Sequence, residues 1–460
     1  MNMEGLCRNK RTLTTRRDFL LRGSAGFGGV AMAALMADEA WAQKGYTGPM
    51  SPKQPHHPAR AKRVIFLFME GGPSHIDTFD WKPELAARNL RGGNNQLVSP
   101  VFPFKPGGQS GLMMADIFPN LSRHSDDLCL LNGLSTNTPG HQEAIIALHT
   151  GNERFVRPSM GAWVVYGLGS FSQELPGFVT VNPISDQGGA QNYGSAFLPA
   201  TFQGTSLSST GGGVPNLYHH HLVGGDQRKQ IDFIQQLNRG LKIDNPGNAE
   251  FEGAAQSLEL AFKMQTSVPG VLSLSGEPQQ VLASYGIGQG RSDRFGRQCL
   301  LARRLAEQGV RFIQLTHRGW DQHNNLRERL RDHAADIDQP IAALIADLKQ
   351  RDMLKDTLIV WGGEFGRSPY DDKGNGDGRG HNSKGYTMWL AGGGVKGGMR
   401  YGATNETGGE AALKRMNIHD LHATILHLLG LDHEALTYHY AGRDFRLTDV
   451  SGVVAKDILS

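Results

Sequence analysis

Short, wholly apolar runs separated by helical stretches constrain this chain most. The run "RVIFLFMEGG" places six apolar residues in a row ahead of a Gly pair. A run of that kind is buried on both faces, as a strand inside a parallel sheet is. The pattern recurs in "DLCLLNGLS" (127–135), "GFVTVNP" (177–183), "GVRFIQLTHRGWD" (309–321), "DTLIVWGGEFG" (356–366) and "YTMWLAGGG" (386–394). Helical patterns fall between them. Residues 326–349 set Leu330, Ala334, Ile337, Ile341, Leu344 and Leu348 on one helix face, and "RSDRFGRQCLLARRLAEQG" and "NIHDLHATILHLLGLD" (417–432) are also helical. Strands alternating with helices predict an α/β fold, with a mostly parallel central sheet and helices on both faces. In such sheets, function sits at the carboxyl ends of the strands.

The first 42 residues stand apart from that fold. Arg16 and Arg17 are followed by Phe19, Leu20, a Gly/Ala-rich stretch and the small-residue site Ala40–Ala42. This is the pattern of a twin-arginine export signal cut near Ala42, and it predicts a periplasmic or secreted protein. The stretch is too short and too interrupted for a membrane anchor, and no mature segment reads as a membrane span. Residues 43–60 are a Pro-rich, flexible lead-in. Residues 61–460 form the α/β domain, with a Gly/Ser-rich insertion or cap at about 185–290. The signal holds six of the chain's 47 basic and four of its 44 acidic side chains, so 41 and 40 remain. That balance gives no electrostatic footing for nucleic acid. Cys129 and Cys299 both fall in apolar or amphipathic runs, and their spacing does not indicate a disulfide.

Several strand ends collect polar residues. The first runs into "MEGGPSHIDTFD", with Glu70, His75, Asp77 and Asp80 beside two glycines. The glycines allow close backbone approach to a ligand, whereas the bland reading is a loop tied by Asx turns. At the end of "GVRFIQLTH", Asp321 and His323 are two residues apart and share a side of extended chain, which suits a divalent ion. The competing reading there is a turn capping the next helix through Asn324 or Asn325. Glu364 follows the Gly pair of "DTLIVWGG", and Arg367 could hold an anion or simply pair with it. The Gly-rich loop "GNGDGRGHNSKG" brings Arg379 and His381. In "TPGHQEAIIALHTG" (138–151), Thr138 as cap and Pro139 as first residue put His141 in the first helical turn. The helix dipole there favours a neutral, ligating imidazole, although His141 also shares a face with Ile145 and Leu148. The run His219–His221 reads as loop, since consecutive side chains do not converge easily on one ion. No P-loop and no Gly-x-Ser-x-Gly elbow is present.

The stretches "VIFLFMEGGPSHIDTFDWKPE", "RFGRQCLLARRLAEQGVRFIQL", "GWDQHNN", "GGEFGRSP" and "NIHDLHATILHLLGLDHEALTYHYAGRDFRLTDV" resemble the family of exported bacterial proteins called domain of unknown function 1501. The order of parts is also similar to that of the alkaline phosphatase and sulfatase superfamily. That resemblance implies an alkaline phosphatase-like fold and one or two divalent ions, zinc, calcium or manganese. It implies a metal set drawn from Glu70, Asp77, His141, Asp321, His323, Glu364 and His381, with Glu70 or Asp77 as the first acid. It further implies Arg367 or Arg379 on the anion. The superfamily nucleophile commonly lies nine residues before the Thr of Thr-Gly, and here that position is His141. No Ser, Thr or Cys adjoins it, so the usual covalent step lacks its nucleophile. Likewise, Phe365 stands where the superfamily has His or Asn. Two functions follow as expectations. One is an exported metal-dependent hydrolase of sulfate or phosphate esters on small molecules or polysaccharides, with His141, Arg367 and Arg379 in catalytic roles. The other is a non-catalytic member of the fold that binds carbohydrate or protein.

Overall fold

The computed structural model describes residues 48–92, 96–209, 224–244, 249–374 and 376–460. The expected export signal and the run His219–His221 lie outside them. Numbering only the strands of the main sheet and the longer helices, the sheet is built from β1 (Arg63–Met69), β2 (Leu128–Ser135), β3 (Phe178–Val181), β4 (Thr205–Leu207), β5 (Phe312–His317), β6 (Thr357–Gly362), β7 (Tyr386–Ala391), β8 (Met399–Tyr401) and β9 (Met416–Asn417). The strand order is β8-β2-β7-β6-β1-β5-β3-β4, with β9 also pairing β2. Every pairing is parallel except those of β7, which runs antiparallel to both β2 and β6. All six apolar runs are strands of this sheet, and the expected α/β class holds.

The period of β1 shows why the run is apolar throughout. Ile65, Leu67 and Met69 share a core with Cys299, Leu300, Leu330, Ile337, Ile341 and Leu344. Those partners come from two helices, α5 (Asp293–Glu307) and α6 (Leu326–Gln350). On the opposite face, Phe66 and Phe68 pack against His149, with ring centroids 5.8 and 4.7 Å away. His149 belongs to α1 (His141–Thr150). Both faces of the strand are thus covered, and each buried side chain of this size stabilises the fold by about 1.5–3 kcal/mol relative to exposure.

Register then gathers the strand ends. β1 lies between β5 and β6, with Met69 opposite His317 and Phe68 opposite Gly362. The three strands stop at one edge, so the residues that follow them, Glu70, Asp321 and Glu364, leave from neighbouring positions. The region 185–290 supplies the edge strand β4, which its sequence did not signal, and then two long helices, α3 (Gly224–Asp244) and α4 (Ala249–Leu272). Cys129 and Cys299 are both buried free thiols.

Candidate metal centre

The Gly pair after β1 allows the strand ends to close on one another. Gly71 and Gly72 have φ of 115° and 75°. A Cβ on Gly71 would stand 2.4 Å from the backbone nitrogen of Asp321. Only glycine tolerates both that φ and that approach. The backbone N–H of Gly71 donates to Glu364 Oε1 at 3.0 Å. The pair therefore receives protein backbone and carboxylate.

Asp321 Oδ1 is the centre of the site. His323 Nε2 lies 2.9 Å from it, His141 Nε2 3.3 Å and His381 Nε2 3.3 Å. A guanidinium nitrogen of Arg367 sits at 2.5 Å. His323 Nε2 and His381 Nε2 face each other at 2.9 Å. The ligand atoms of His141, Asp321 and His381 all lie within 4.8 Å of one another. The other ring nitrogen of each histidine is held by an acceptor. His141 Nδ1 lies 2.6 Å from Glu364 Oε1, His323 Nδ1 2.7 Å from Asp372 Oδ2, and His381 Nδ1 2.7 Å from the carbonyl of Pro139. A carboxylate or carbonyl at Nδ1 fixes the proton there and leaves Nε2 as a lone pair directed inward. Histidines that ligate metals are commonly oriented this way.

The donor set fits a divalent cation. His141 Nε2 is buried without a well-formed hydrogen bond. Two Nε2 lone pairs at 2.9 Å repel unless a proton or a cation lies between them. Imidazole nitrogens gathered 2.9–3.3 Å from one carboxylate oxygen are a donor set that zinc and similar divalent ions accept.

His141 opens α1 directly, with Gly140 at the N-cap. Thr138 does not cap the helix. Its Oγ1 accepts instead from the Gly140 N–H, a local turn that delays the helix start. Burial pulls the His141 pKa down, but hydrogen bonds and charge from Asp321 and Glu364 outweigh burial and raise it to about 9, so a cation taken up at Nε2 would displace a proton from that ring. Asp321 is held far below the carboxylate range. Burial opposes that shift, but His141, His381 and Arg367 overcome it.

The remaining expected site residues take other places. Asp77 and Arg379 form a fully buried pair, Nε to Oδ2 at 2.7 Å and a second guanidinium nitrogen to Oδ1 at 3.2 Å. Asp77 is spent there and on the Val101 N–H, so the structure does not bring it to the cluster. The other Arg379 donors reach the carbonyls of Val98, Ser99 and Ser368. Arg367 is likewise filled, by the carbonyls of Gly71, Gly72 and Arg379 and by Asp321. Neither arginine has a donor left for an anion. Glu364 is fully buried behind His141 and orients that ring. Glu70 accepts from Gly319 N–H, and burial, then the charge of Glu364, push its carboxyl up. Phe365 packs against the rings of His141 and His381, with centroids 4.7 and 4.8 Å away, and forms an apolar wall beside them. Asp372 and the Pro139 carbonyl escaped sequence reasoning. An acid next to a Gly-rich loop is too common a signal to single out.

The family described as "Protein of unknown function (DUF1501)" matches residues 61–459. No curated protein matches the chain. Among solved structures, the PsFucS1 sulfatase from Pseudoalteromonas sp. is 14% identical with TM-score 0.36, covering 82% of this chain and 69% of that one. The lipoteichoic acid synthase LtaP from Listeria monocytogenes is 10% identical with TM-score 0.39, covering 86% and 78%. Alkaline phosphatase from the Antarctic bacterium TAB5 is 12% identical with TM-score 0.35, covering 82% and 99%.

Proposed function

We propose that this chain, which belongs to the DUF1501 family, is an exported metal-dependent hydrolase of sulfate or phosphate esters that works without a Ser, Thr or Cys nucleophile. One observation carries the reading: three histidines turn Nε2 toward Asp321 Oδ1 while each Nδ1 is anchored by an acceptor. His141, Asp321, His323 and His381 would hold the ion. A divalent cation there supplies Lewis-acid polarisation of an ester oxygen and lowers the pKa of a water. The chain's own groups do the rest. Glu364, Asp372 and the Pro139 carbonyl fix the rings. Arg367 locks Asp321 onto the Gly71–Gly72 turn. Phe365 keeps water off one flank of His141 and His381. His141 takes the nucleophile's place in sequence, and its other nitrogen, bound to Glu364, serves to orient it. Export by the twin-arginine route is part of this reading, and it rests on Arg16, Arg17 and the residues after them.

A second reading has its own observation. Arg367 and Arg379 are saturated and no hydroxyl or thiol nucleophile stands at His141, which favours a non-catalytic member that binds carbohydrate or protein through the same fold. Hydrolysis of 4-nitrophenyl sulfate and 4-nitrophenyl phosphate by the metal-reconstituted protein separates the two. The hydrolase reading expects turnover abolished by chelator and by His381→Ala. Equal rates for the wild type and His381→Ala would favour the binding reading.

A further inference from the structure

A cavity at the end of β5 shares none of the residues of the candidate metal centre. It encloses about 220 Å³ and is lined by Gln298, Thr316, His317, His333 and Asp336, with arginines at 291, 294 and 318. A cavity of about 150 Å³ accepts benzene, so this one admits a six-membered ring with several substituents. The turn after β5 joins the two places: Gly319 N–H donates to Glu70, and the Gly319 carbonyl lies 2.9 Å from His333 Nε2.

Three donor atoms here fit a cation by distance alone, those of His317, His333 and Asp336. The hydrogen bonds argue against one. Trp320 Nε1–H donates to His317 Nδ1 at 3.0 Å. An indole N–H is donor only, so Nδ1 carries the lone pair and the His317 proton sits on Nε2, the atom that faces Asp336 Oδ2 at 3.4 Å. A protonated nitrogen is no ligand.

Other polar atoms in the same cavity lack partners. Gln298 Oε1 and Thr316 Oγ1 are buried without a hydrogen bond. Gln298 and Thr316 are 2% and 4% exposed. His333 is held from both sides, with Nε2 2.9 Å from the Gly319 carbonyl and Nδ1 3.8 Å from Asp336 Oδ2. The orphans are therefore one amide oxygen and one hydroxyl, and they call for a ligand bearing O–H donors. The charge at the cavity points to the rest of that ligand. Arg291 pairs with Asp332 and Asp336, and Arg318 pairs with Asp186. Arg294 lines the cavity with no side-chain ion pair or hydrogen bond among the described residues.

We propose that this cavity binds a small polyol carrying one anionic group, a sugar acid or sugar sulfate, with its hydroxyls on Gln298 and Thr316 and its anion on Arg294. The site is independent of the hydrolase reading and stands if that reading fails. Isothermal titration of the full mature protein tests it, with D-glucuronate, glucose 6-sulfate, D-glucose and inorganic sulfate as the probes. At least one of the two acidic sugars binds at least tenfold more tightly than glucose and sulfate do. Arg294→Gln, at an exposed residue, weakens that probe at least tenfold, and so does Thr316→Val. Retained melting temperatures show the variants folded, and should Thr316→Val melt early, Arg294→Gln alone decides. Sulfate binding as tightly as the sugars, glucose binding as tightly as the sugars, no heat from any probe, or wild-type affinity in Arg294→Gln would each overturn the proposal.

Discussion

His141 Nδ1 and Glu364 Oε1 lie 2.6 Å apart, with the carboxylate fully buried behind the ring. The same Glu364 oxygen accepts the Gly71 N–H. One carboxylate therefore ties the first turn of α1 to the end of β1 and aims the ring at Asp321. On this account Glu364 positions a ligand.

The Glu364→Gln variant keeps the shape and loses the charge. Loss of an outer carboxylate behind a metal histidine costs about 10–100-fold in metal affinity. Zinc titration against a competing chelator should show a drop of that size with stoichiometry retained. An unchanged dissociation constant would remove Glu364 from the site.

Gly71 is the second lever. Its φ of 115° and the 2.4 Å approach to Asp321 N leave no room for a methyl group. The Gly71→Ala protein should lose about 1–3 kcal/mol from backbone strain and should also bind metal more weakly, because Asp321 must move. Urea unfolding of the metal-free protein and a chelator titration read the two effects separately. Wild-type values in both would contradict the close packing described.

The buried pair of Asp77 and Arg379 makes the opposite prediction. Removing one partner strands a buried charge, at a cost of about 3–5 kcal/mol. Arg379→Met should lower the urea midpoint accordingly, yet Asp77→Asn should retain the wild-type metal stoichiometry. A loss of bound metal in folded Asp77→Asn would return Asp77 to the ligand set.

Acid sensitivity follows from two buried histidines outside the candidate metal site. Burial holds His149 down to about 4 and His422 down to about 3, below the ordinary 6.5. Above pH 6.5 both are neutral in the folded and the unfolded chain and add no pH dependence. As pH falls below 6.5, the unfolded chain takes up protons that the folded chain refuses, so stability declines until the folded values are reached. Each tenfold difference in proton affinity between the two states is worth about 1.4 kcal/mol, so the full loss is on the order of 3 kcal/mol for His149 and 5 kcal/mol for His422. Urea midpoints at pH 7, 5.5 and 4.5 should fall steadily, and less steeply in His422→Gln. A flat profile would contradict the burial of these rings.

Much of this arrangement could be read along the chain. Six apolar runs became six strands because a strand covered on both faces carries no polar alternation. The strand-end rule found Asp321 and Glu364 because β1, β5 and β6 stop in register. What escaped is non-local. Nothing near Asp77 signals that Arg379, far along the chain, neutralises it, and nothing near Arg367 signals that three carbonyls fill its donors. Nothing near His141 signals that two carboxylates from other strand ends, Asp321 and Glu364, flank its ring. The cluster of His317, His333 and Asp336 left one faint trace, a His and an Asp three apart on α6, a spacing shared by many surface pairs.

Metal content tests the central claim most directly. The tag-free mature protein, reconstituted with zinc, manganese or calcium and dialysed, should retain at least one stoichiometric ion by elemental analysis. His141→Ala combined with Asp321→Ala should retain none while still folding by circular dichroism. A wild-type protein that binds none of the three, or a folded double variant that binds as much as the wild type, would contradict the assignment of this centre.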